Sequence, residues 1–195
     1  DQLSKINEQI ILRNKFPIVF GGEHSITPGS LKPFAKKYNE ILLLHFDAHA
    51  DLRESYNGEK FSHASAIKRC LDFKNVKVIS FGVRNLSKAE MSFYKKNKNR
   101  IKIFWSKDKK SWNLKRLENL FKNRNVYITF DVDGFDASIM PATGTPEPGG
   151  LLWDETLNII KIAAKNSKIV GADINELAPI KGFNSYNFLV AKLAY

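Results

Sequence analysis

Cysteine and long hydrophobic runs are both nearly absent from this sequence. A single cysteine, Cys70, stands among 195 residues, so neither an internal disulfide nor a thiolate metal cage can form. We expect Cys70 to be a small buried side chain. No apolar run exceeds four residues, as in Ile41–Leu44, whereas a membrane-spanning helix needs about 20. Because the first residues also lack a signal-peptide pattern, the sequence predicts a cytoplasmic protein.

Acidic residues are scarce relative to basic ones. The chain has 20 Asp and Glu against 31 Lys and Arg, for a formal net charge of +11. Such a surplus raises the hypothesis of a basic nucleic-acid-binding module. However, the basic residues are scattered among connectors and predicted helix faces, without interleaved aromatic residues. We therefore interpret them as solvated surface and expect neither nucleic acid nor a membrane as a partner.

Apolar segments of strand length recur along the whole chain, each followed by a turn and a polar, helix-length stretch. They are Phe16–Phe20, Ile41–Phe46, Val76–Val83, Ile101–Trp105, Val126–Phe130 and Lys168–Ile174. Because they are almost wholly apolar rather than alternating, they are typical of parallel strands covered on both faces. The predicted helices are Asp1–Arg13, Pro28–Tyr38, His63–Phe73, Ser87–Asn97, Leu114–Lys122 and Asp154–Asn166, with Ser87 and Asp154 as N-caps. This alternation favours one three-layer α/β/α domain over residues 1–195, with a central, mainly parallel sheet.

Acidic and imidazole side chains follow several of these strands. The segment Asp47–Asp51 places Asp, His and Asp at i, i+2 and i+4, so an extended backbone would direct them to the same side. Asp131 and Asp133 repeat the i, i+2 spacing after the fifth strand, and His24 follows the first. Since ligands bind at the carboxyl ends of parallel strands, we expect four carboxylates and two imidazoles to converge there.

Four clustered carboxylates need a counter-charge, because each raises the pKa of the others. Two divalent cations would supply it. Oxygen and imidazole ligands without thiolate suit Mn²⁺ best, and Fe²⁺, Co²⁺, Ni²⁺ and Zn²⁺ are compatible by ligand type. A metal pair lowers the pKa of a water between them to roughly 7–9, which gives a hydroxide nucleophile. His45 falls inside an apolar run, and we interpret it as a strand histidine beside the site rather than a ligand.

Three ordered segments resemble the signatures of the ureohydrolase family, which includes arginases and agmatinases. They are Gly21–Ser25 (GGEHS), Asp47–Asp51 (DAHAD) and Phe130–Asp136 (FDVDGFD). The resemblance extends from about Pro17 to the last residue. It implies a binuclear manganese hydrolase with an arginase-like α/β/α fold, which releases urea from a guanidino compound by attack of a metal-bridging hydroxide. It also implies a homo-oligomer, a trimer or a hexamer.

The resemblance assigns roles position by position. One manganese would be held by His24, Asp47, Asp51 and Asp131, and the other by Asp47, His49, Asp131 and Asp133. His63 would shuttle protons at the pocket mouth, and Glu176 would pair with the substrate guanidinium, whose N–H groups a carboxylate can meet with two parallel bonds. The residues themselves leave two alternatives open, a surface ion pair for Glu176 and a polar helix N-terminus for His63.

The segments Leu52–Ala64 and Thr143–Gly150 resemble agmatinases more than arginases. This implies agmatine as the cationic substrate and putrescine, a polyamine precursor, and urea as products; guanidinobutyrate ranks second and arginine third. Ala137 and Ala142 depart from the family pattern, which usually has Pro and often Gly there, but neither is a ligand position. Family chains also begin with a section that has no counterpart before Asp1, so we expect a partial domain with an exposed sheet edge.

Two other classes of protein stay open at this point. A two-metal phosphoesterase or nuclease would use a similar cluster, together with Lys or Arg close to the metals. A degenerate fragment would function only after assembly with partner subunits.

Overall fold

Six strands form one parallel sheet in the computed structural model, which describes residues 2–195. They are β1 (Ile18–Phe20), β2 (Ile41–Phe46), β3 (Val76–Phe81), β4 (Ile101–Phe104), β5 (Asn125–Asp131) and β6 (Lys168–Asn175). Their order across the sheet is β1–β6–β5–β2–β3–β4, and every pairing is parallel. The prediction of a parallel sheet is confirmed. Strand β3 ends before its predicted end because Gly82, with φ 94°, turns the chain out of the extended conformation.

Seven α-helices connect and cover the strands in the described part of the chain. They are α1 (Gln2–Leu12), α2 (Thr27–Lys37), α3 (Ala66–Cys70), α4 (Lys88–Lys96), α5 (Leu114–Phe121), α6 (Trp153–Asn166) and α7 (Asn184–Ala194). Asp1, the first residue of the predicted Asp1–Arg13 helix, lies outside the described residues. Short 3-10 turns precede two helices at His24–Ile26 and His63–Ser65, and another follows β5 at Val132–Gly134.

Two hydrophobic cores lie on opposite faces of the sheet. On one face, Phe121 of α5 and Ile159 of α6 pack with Phe130 of β5. On the other, Phe34 of α2 and Ile67 of α3 pack with apolar side chains of β2 and β3. Cys70 is fully buried in this second core. The chain therefore has the three-layer α/β/α architecture that its strand pattern predicts.

Helix boundaries are predicted less well than strands. The Ser87 cap is confirmed, since its hydroxyl accepts a hydrogen bond from Glu90 N at 3.3 Å. The Asp154 cap is wrong, because α6 begins at Trp153 and Asp154 lies in its first turn. The predicted His63–Phe73 helix is a 3-10 turn followed by the five-residue α3. The sequence pattern predicts no helix over Asn184–Ala194, where the structure has α7.

The edge of the sheet at β1 has exposed apolar side chains. Phe16 is 49% exposed, and Phe20, at the end of the strand, is 64% exposed.

No helix among the described residues is both long and apolar enough to cross a membrane.

Candidate functional site

Four neighbouring strands bring the predicted site residues to one edge of the sheet. The carboxyl ends of β1, β6, β5 and β2, with the loops that follow them, carry His24, Glu176, the Asp131–Asp133 pair and the Asp47–Asp51 segment. These four strands are adjacent in the sheet although they are far apart in sequence. Because all strands are parallel, every loop leaves at the same carboxyl edge, where ligands bind.

The first cluster of candidate ligands surrounds His24. Its Nδ1 atom lies 3.2 Å from Asp47 Oδ2, 3.1 Å from Asp51 Oδ2 and 3.5 Å from Asp131 Oδ2. The His24 and Asp47 side chains are fully buried. The structure therefore brings together the four residues assigned to one metal.

The second cluster surrounds His49. Its Nδ1 atom lies 3.0 Å from Asp133 Oδ2 and 3.4 Å from Asp47 Oδ1. Asp47 thus faces His24 with one carboxylate oxygen and His49 with the other. Asp131 is linked to this cluster by its Oδ1 atom, which accepts a hydrogen bond from Asp133 N at 2.9 Å.

Buried polar side chains contact the residues of both clusters on the side away from the cavity. His45 lies against Ser80 Oγ with Nδ1 (2.9 Å) and against Asp47 Oδ2 with Nε2 (2.8 Å). Since both ring nitrogens have partners, His45 fits the role of a supporting histidine better than that of a ligand. His24 Nε2 lies 2.8 Å from Thr129 Oγ1, which in turn donates to Asp173 Oδ1. Such contacts fix the orientation of a metal-binding imidazole.

The clusters favour bound positive charge. Burial, together with Asp133 and Asp47, raises the pKa of Asp131 well above its usual range. Burial and the Asp47 charge raise the pKa of Asp51 to about 7. Burial lowers the pKa of His49, but hydrogen bonds to Asp133 and Asp47 outweigh it and raise that pKa to about 11. These three shifts favour the more positive form of each group, as expected where acidic groups crowd together. Asp47 differs, because neighbouring imidazoles lower its pKa.

The donor set fits divalent cations. His24 Nδ1 is buried among three carboxylate oxygens, yet it makes no hydrogen bond among the described residues. A buried nitrogen without a partner is costly, and a cation between it and the carboxylates would satisfy it. Oxygen and nitrogen donors from six residues, without a thiolate, are typical of sites for divalent first-row metal ions.

A cavity of about 380 Å³ opens over the clusters, with Glu176 and His63 in its wall. Glu176 Oε1 accepts a hydrogen bond from His24 N at 2.7 Å, and Glu176 N donates to Gly22 O at 2.7 Å. His63 lies nearer the mouth, where its side chain is 46% exposed and its Nδ1 is 3.9 Å from Glu23 Oε1. The cavity thus contains both residues predicted to act on substrate.

Three further polar residues near the site escaped prediction. Arg84 donates hydrogen bonds to five backbone carbonyls, among them those of Asp133 and Glu147. Glu90 is buried and accepts a hydrogen bond from Leu52 N at 3.0 Å. Asp173 accepts a hydrogen bond from Thr129 Oγ1, the atom that His24 Nε2 contacts. Only Glu90 had a sequence signal, the Ser87-x-x-Glu90 capping box; the other two depend on contacts between distant segments.

Comparisons with known proteins agree with this geometry. The Arginase family model matches residues 1–195. The N(1)-aminopropylagmatine ureohydrolase of Synechocystis sp. is 34% identical over 185 residues, which cover 93% of this chain and 59% of that protein. The agmatinase of Bacillus anthracis is 37% identical over 182 residues, which cover 92% of this chain and 61% of that protein. The chain therefore spans about three-fifths of the length of the curated relatives it matches.

A solved structure has the same fold. The agmatine ureohydrolase of Thermoplasma volcanium superimposes with a TM-score of 0.85 at 33% sequence identity, and the match covers 100% of this chain and 65% of that one. Sequence, fold and the arrangement of the polar residues agree, and this chain belongs to the arginase family.

Proposed function

We propose that this chain carries the active site of a ureohydrolase that converts agmatine and water to putrescine and urea. One observation carries the proposal: two imidazole–carboxylate clusters share Asp47 and line the same cavity as Glu176. The agmatinases among its relatives support the choice of substrate. The family resemblance further supports a trimeric or hexameric assembly.

Six residues of the clusters would hold two Mn²⁺ ions. His24, Asp47, Asp51 and Asp131 would bind one ion, and Asp47, His49, Asp131 and Asp133 the other. When bound, such a pair supplies Lewis-acid chemistry and an activated water at neutral pH. Asp47 and Asp131 would contribute to both positions, in line with the distances of Asp47 to both histidines.

Glu176 would bind the substrate guanidinium. Its backbone and carboxylate are both fixed, by Gly22 O and His24 N respectively. Burial raises the pKa of Glu176, and a permanently charged guanidinium beside it would favour the ionised form. A carboxylate aimed in this way would place the central guanidinium carbon over the clusters.

His63 would handle the proton of the leaving group. Water adds to the central guanidinium carbon, and the bond from that carbon to the nitrogen of the substrate's alkyl chain breaks. The central carbon, its new oxygen and the two other nitrogens form urea. The nitrogen of the substrate's alkyl chain takes a proton and departs as an amine. His63 lies at the cavity mouth, where an imidazole can exchange protons with solvent.

The charges around the cavity favour a cationic substrate over a phosphate ester. Arg84 donates its N–H groups to backbone carbonyls. Arg53, in the cavity wall, lies 3.7 Å from the buried carboxylate of Glu90. Glu23 and Glu176 add further negative charge to the wall. A phosphoesterase would need cationic side chains directed at the substrate instead.

A longer guanidino polyamine is a further candidate substrate. One relative is named as an N(1)-aminopropylagmatine ureohydrolase. The cavity is open at its mouth, beside His63 and Glu23, where an extended amine tail could leave it.

A urea-release assay tests the proposal. The chain would be assayed on agmatine, N1-aminopropylagmatine, guanidinobutyrate and arginine, with Mn²⁺ added or removed by a chelator, and on a phosphodiester as a negative control. We expect turnover of agmatine only with metal. Phosphodiester cleavage without urea release would overturn the proposal.

A pair of matched variants tests the role of Glu176. Glu176→Gln removes the charge that would meet the guanidinium, and we expect kcat/KM for agmatine to fall about 10- to 100-fold. Glu23→Gln, a similar change at the exposed mouth of the same cavity, should have a much smaller effect. Equal losses in both variants would contradict the assignment.

A further inference from the structure

Asp51, one of the candidate metal ligands, has an unusual backbone conformation. Its φ angle is 50°, which is in the left-handed region that few residues other than Gly adopt, although Asp tolerates it better than most. A residue stays in this region when its surroundings fix it there. The contacts of Asp51 with its neighbours should therefore show what fixes it.

The peptide group between Asp51 and Leu52 is hydrogen-bonded at both of its polar atoms. Its carbonyl oxygen accepts from Lys68 N in α3 at 2.9 Å. Its N–H group donates to Glu90 Oε1 in α4 at 3.0 Å. The orientation of this peptide relative to Asp51 Cα defines ψ of Asp51, so the two bonds hold the backbone from which its side chain leaves. That side chain places Oδ2 3.1 Å from His24 Nδ1.

Glu90 has more contacts than a helix cap requires. Its Oε2 atom accepts from Ser87 N at 2.8 Å, which completes the capping box of α4. Its other oxygen, Oε1, accepts a hydrogen bond from Leu52 N, which is 38 residues away in the sequence. Glu90 is only 4% exposed, and its ion-pair partner Arg53 is 3.7 Å away. A buried carboxylate is costly unless it is well satisfied, and here one oxygen is bonded to the loop that carries Asp51.

We propose that Glu90 is a positioning residue for the metal centre. It holds the Asp51–Leu52 peptide, and through it the Asp51 carboxylate, in the orientation that completes the His24 cluster. This inference rests on the proposed function, because it assumes that the clusters bind metal. It assigns Glu90 no contact with metal or substrate.

Calorimetric titration with Mn²⁺ tests the inference. Glu90→Gln puts an NH2 group in place of one carboxylate oxygen, so Leu52 N and Ser87 N can no longer each bond an oxygen of their own. Glu90→Asp retains the charge but is one methylene shorter, and it carries the test if the Gln variant does not fold. In either variant we expect one of the two binding steps to weaken about 10- to 100-fold, as is typical when a residue that orients a metal ligand is changed. The affected step should be the one that Asp51→Asn also weakens.

Ser87→Ala is the matched control. It removes the other half of the same capping box, the bond from Glu90 N to Ser87 Oγ, and leaves the bond to Leu52. We expect it to lower the melting temperature without changing either Mn²⁺ affinity. Wild-type affinities in both Glu90 variants, or an equal loss in Ser87→Ala, would overturn the positioning role. A wild-type chain that binds no Mn²⁺ would overturn the proposed function and, with it, this inference.

Discussion

Asp47 is the residue on which both clusters depend. Its two carboxylate oxygens face different imidazoles, those of His24 and His49. His45 Nε2 lies 2.8 Å from Asp47 Oδ2. The neighbouring imidazoles of His24 and His45 outweigh burial and lower the pKa of Asp47 well below its usual range. Asp47 is therefore the ionised member of a group whose other carboxylates have raised pKa values.

Asp47→Asn should reduce metal binding at both positions. The amide retains the size of the side chain but loses its charge and one acceptor oxygen. We expect Mn²⁺ affinity to fall at least about 100-fold, because a shared ligand is lost rather than one that merely orients a ligand. Metal content per chain after dialysis is the measurement, and Asp136→Asn, in the third signature segment, is the control. A variant that retained two ions would contradict the bridging role.

Asp136 should contribute an acid-sensitive part of the stability. Hydrogen bonds, chiefly from Ser138, lower its pKa from 3.8 to about 2, so the folded state binds its proton less readily than the unfolded state. Its stabilising effect is therefore present above pH 4 and is lost as the pH falls from about 4 to 2. The free energy of unfolding should differ between wild type and Asp136→Asn at pH 6, and the difference should shrink at pH 3. A difference independent of pH would contradict this assignment.

Among the structural elements, the loops after β2 and β5 are in direct backbone contact. Gly134, in the turn after β5, lies so close to the start of the β2 loop that a Cβ atom there would be 2.8 Å from Asp47 N and 3.0 Å from Phe46 C. Backbone atoms cannot yield in the way that a flexible side chain can. This close approach brings Asp131 and Asp133 against Asp47.

Gly134→Ala should therefore separate the two loops. We expect the free energy of unfolding to fall by about 1–3 kcal/mol, as is typical of overpacking, and Mn²⁺ affinity to fall with it. Denaturant unfolding and metal titration measure the two effects. Gly144→Ala is the control, because a Cβ at Gly144, in the wall of the same cavity, would meet nothing within 4 Å. Wild-type behaviour in Gly134→Ala would show that the loops can move apart freely.

The elements differ in how far the sequence predicts them. Strands are predicted closely because almost wholly apolar segments such as Ile41–Phe46 require cover on both faces. Ser87 is a predictable cap because its bond to Glu90 is local. Helix α7 was missed, since it begins after Phe183 without a side-chain cap and has no clear polar face. Its position depends on contacts with the core through Val190.

At the scale of the whole molecule, metal binding and folding should be coupled. The candidate ligands lie at the ends of three different strands and in the loops that follow them, so an unfolded chain cannot present them together. A ligand at 100 times its Kd stabilises the folded state by about 2.7 kcal/mol. For a chain of this size that corresponds to a rise in melting temperature of about 5–10 °C.

Thermal unfolding with saturating Mn²⁺ and with a chelator checks this coupling. Wild type should melt at the higher temperature with metal, and the Asp47→Asn variant should show little difference. An equal rise in both proteins would indicate nonspecific binding of the cation to the surface.

The sequence by itself determined the parallel sheet and the chemistry of the candidate metal centre. Short segments such as Ile41–Asp51 contain both the end of a strand and candidate ligands, so local spacing is enough to predict that side chains share a direction. Tertiary structure alone decided what holds those ligands in place. Arg84 bonds carbonyls of distant loops, and Glu90 reaches the peptide of Asp51 across 38 residues. Such contacts exist only after the helices have packed on the sheet, because they join backbone groups whose separation in sequence carries no local pattern.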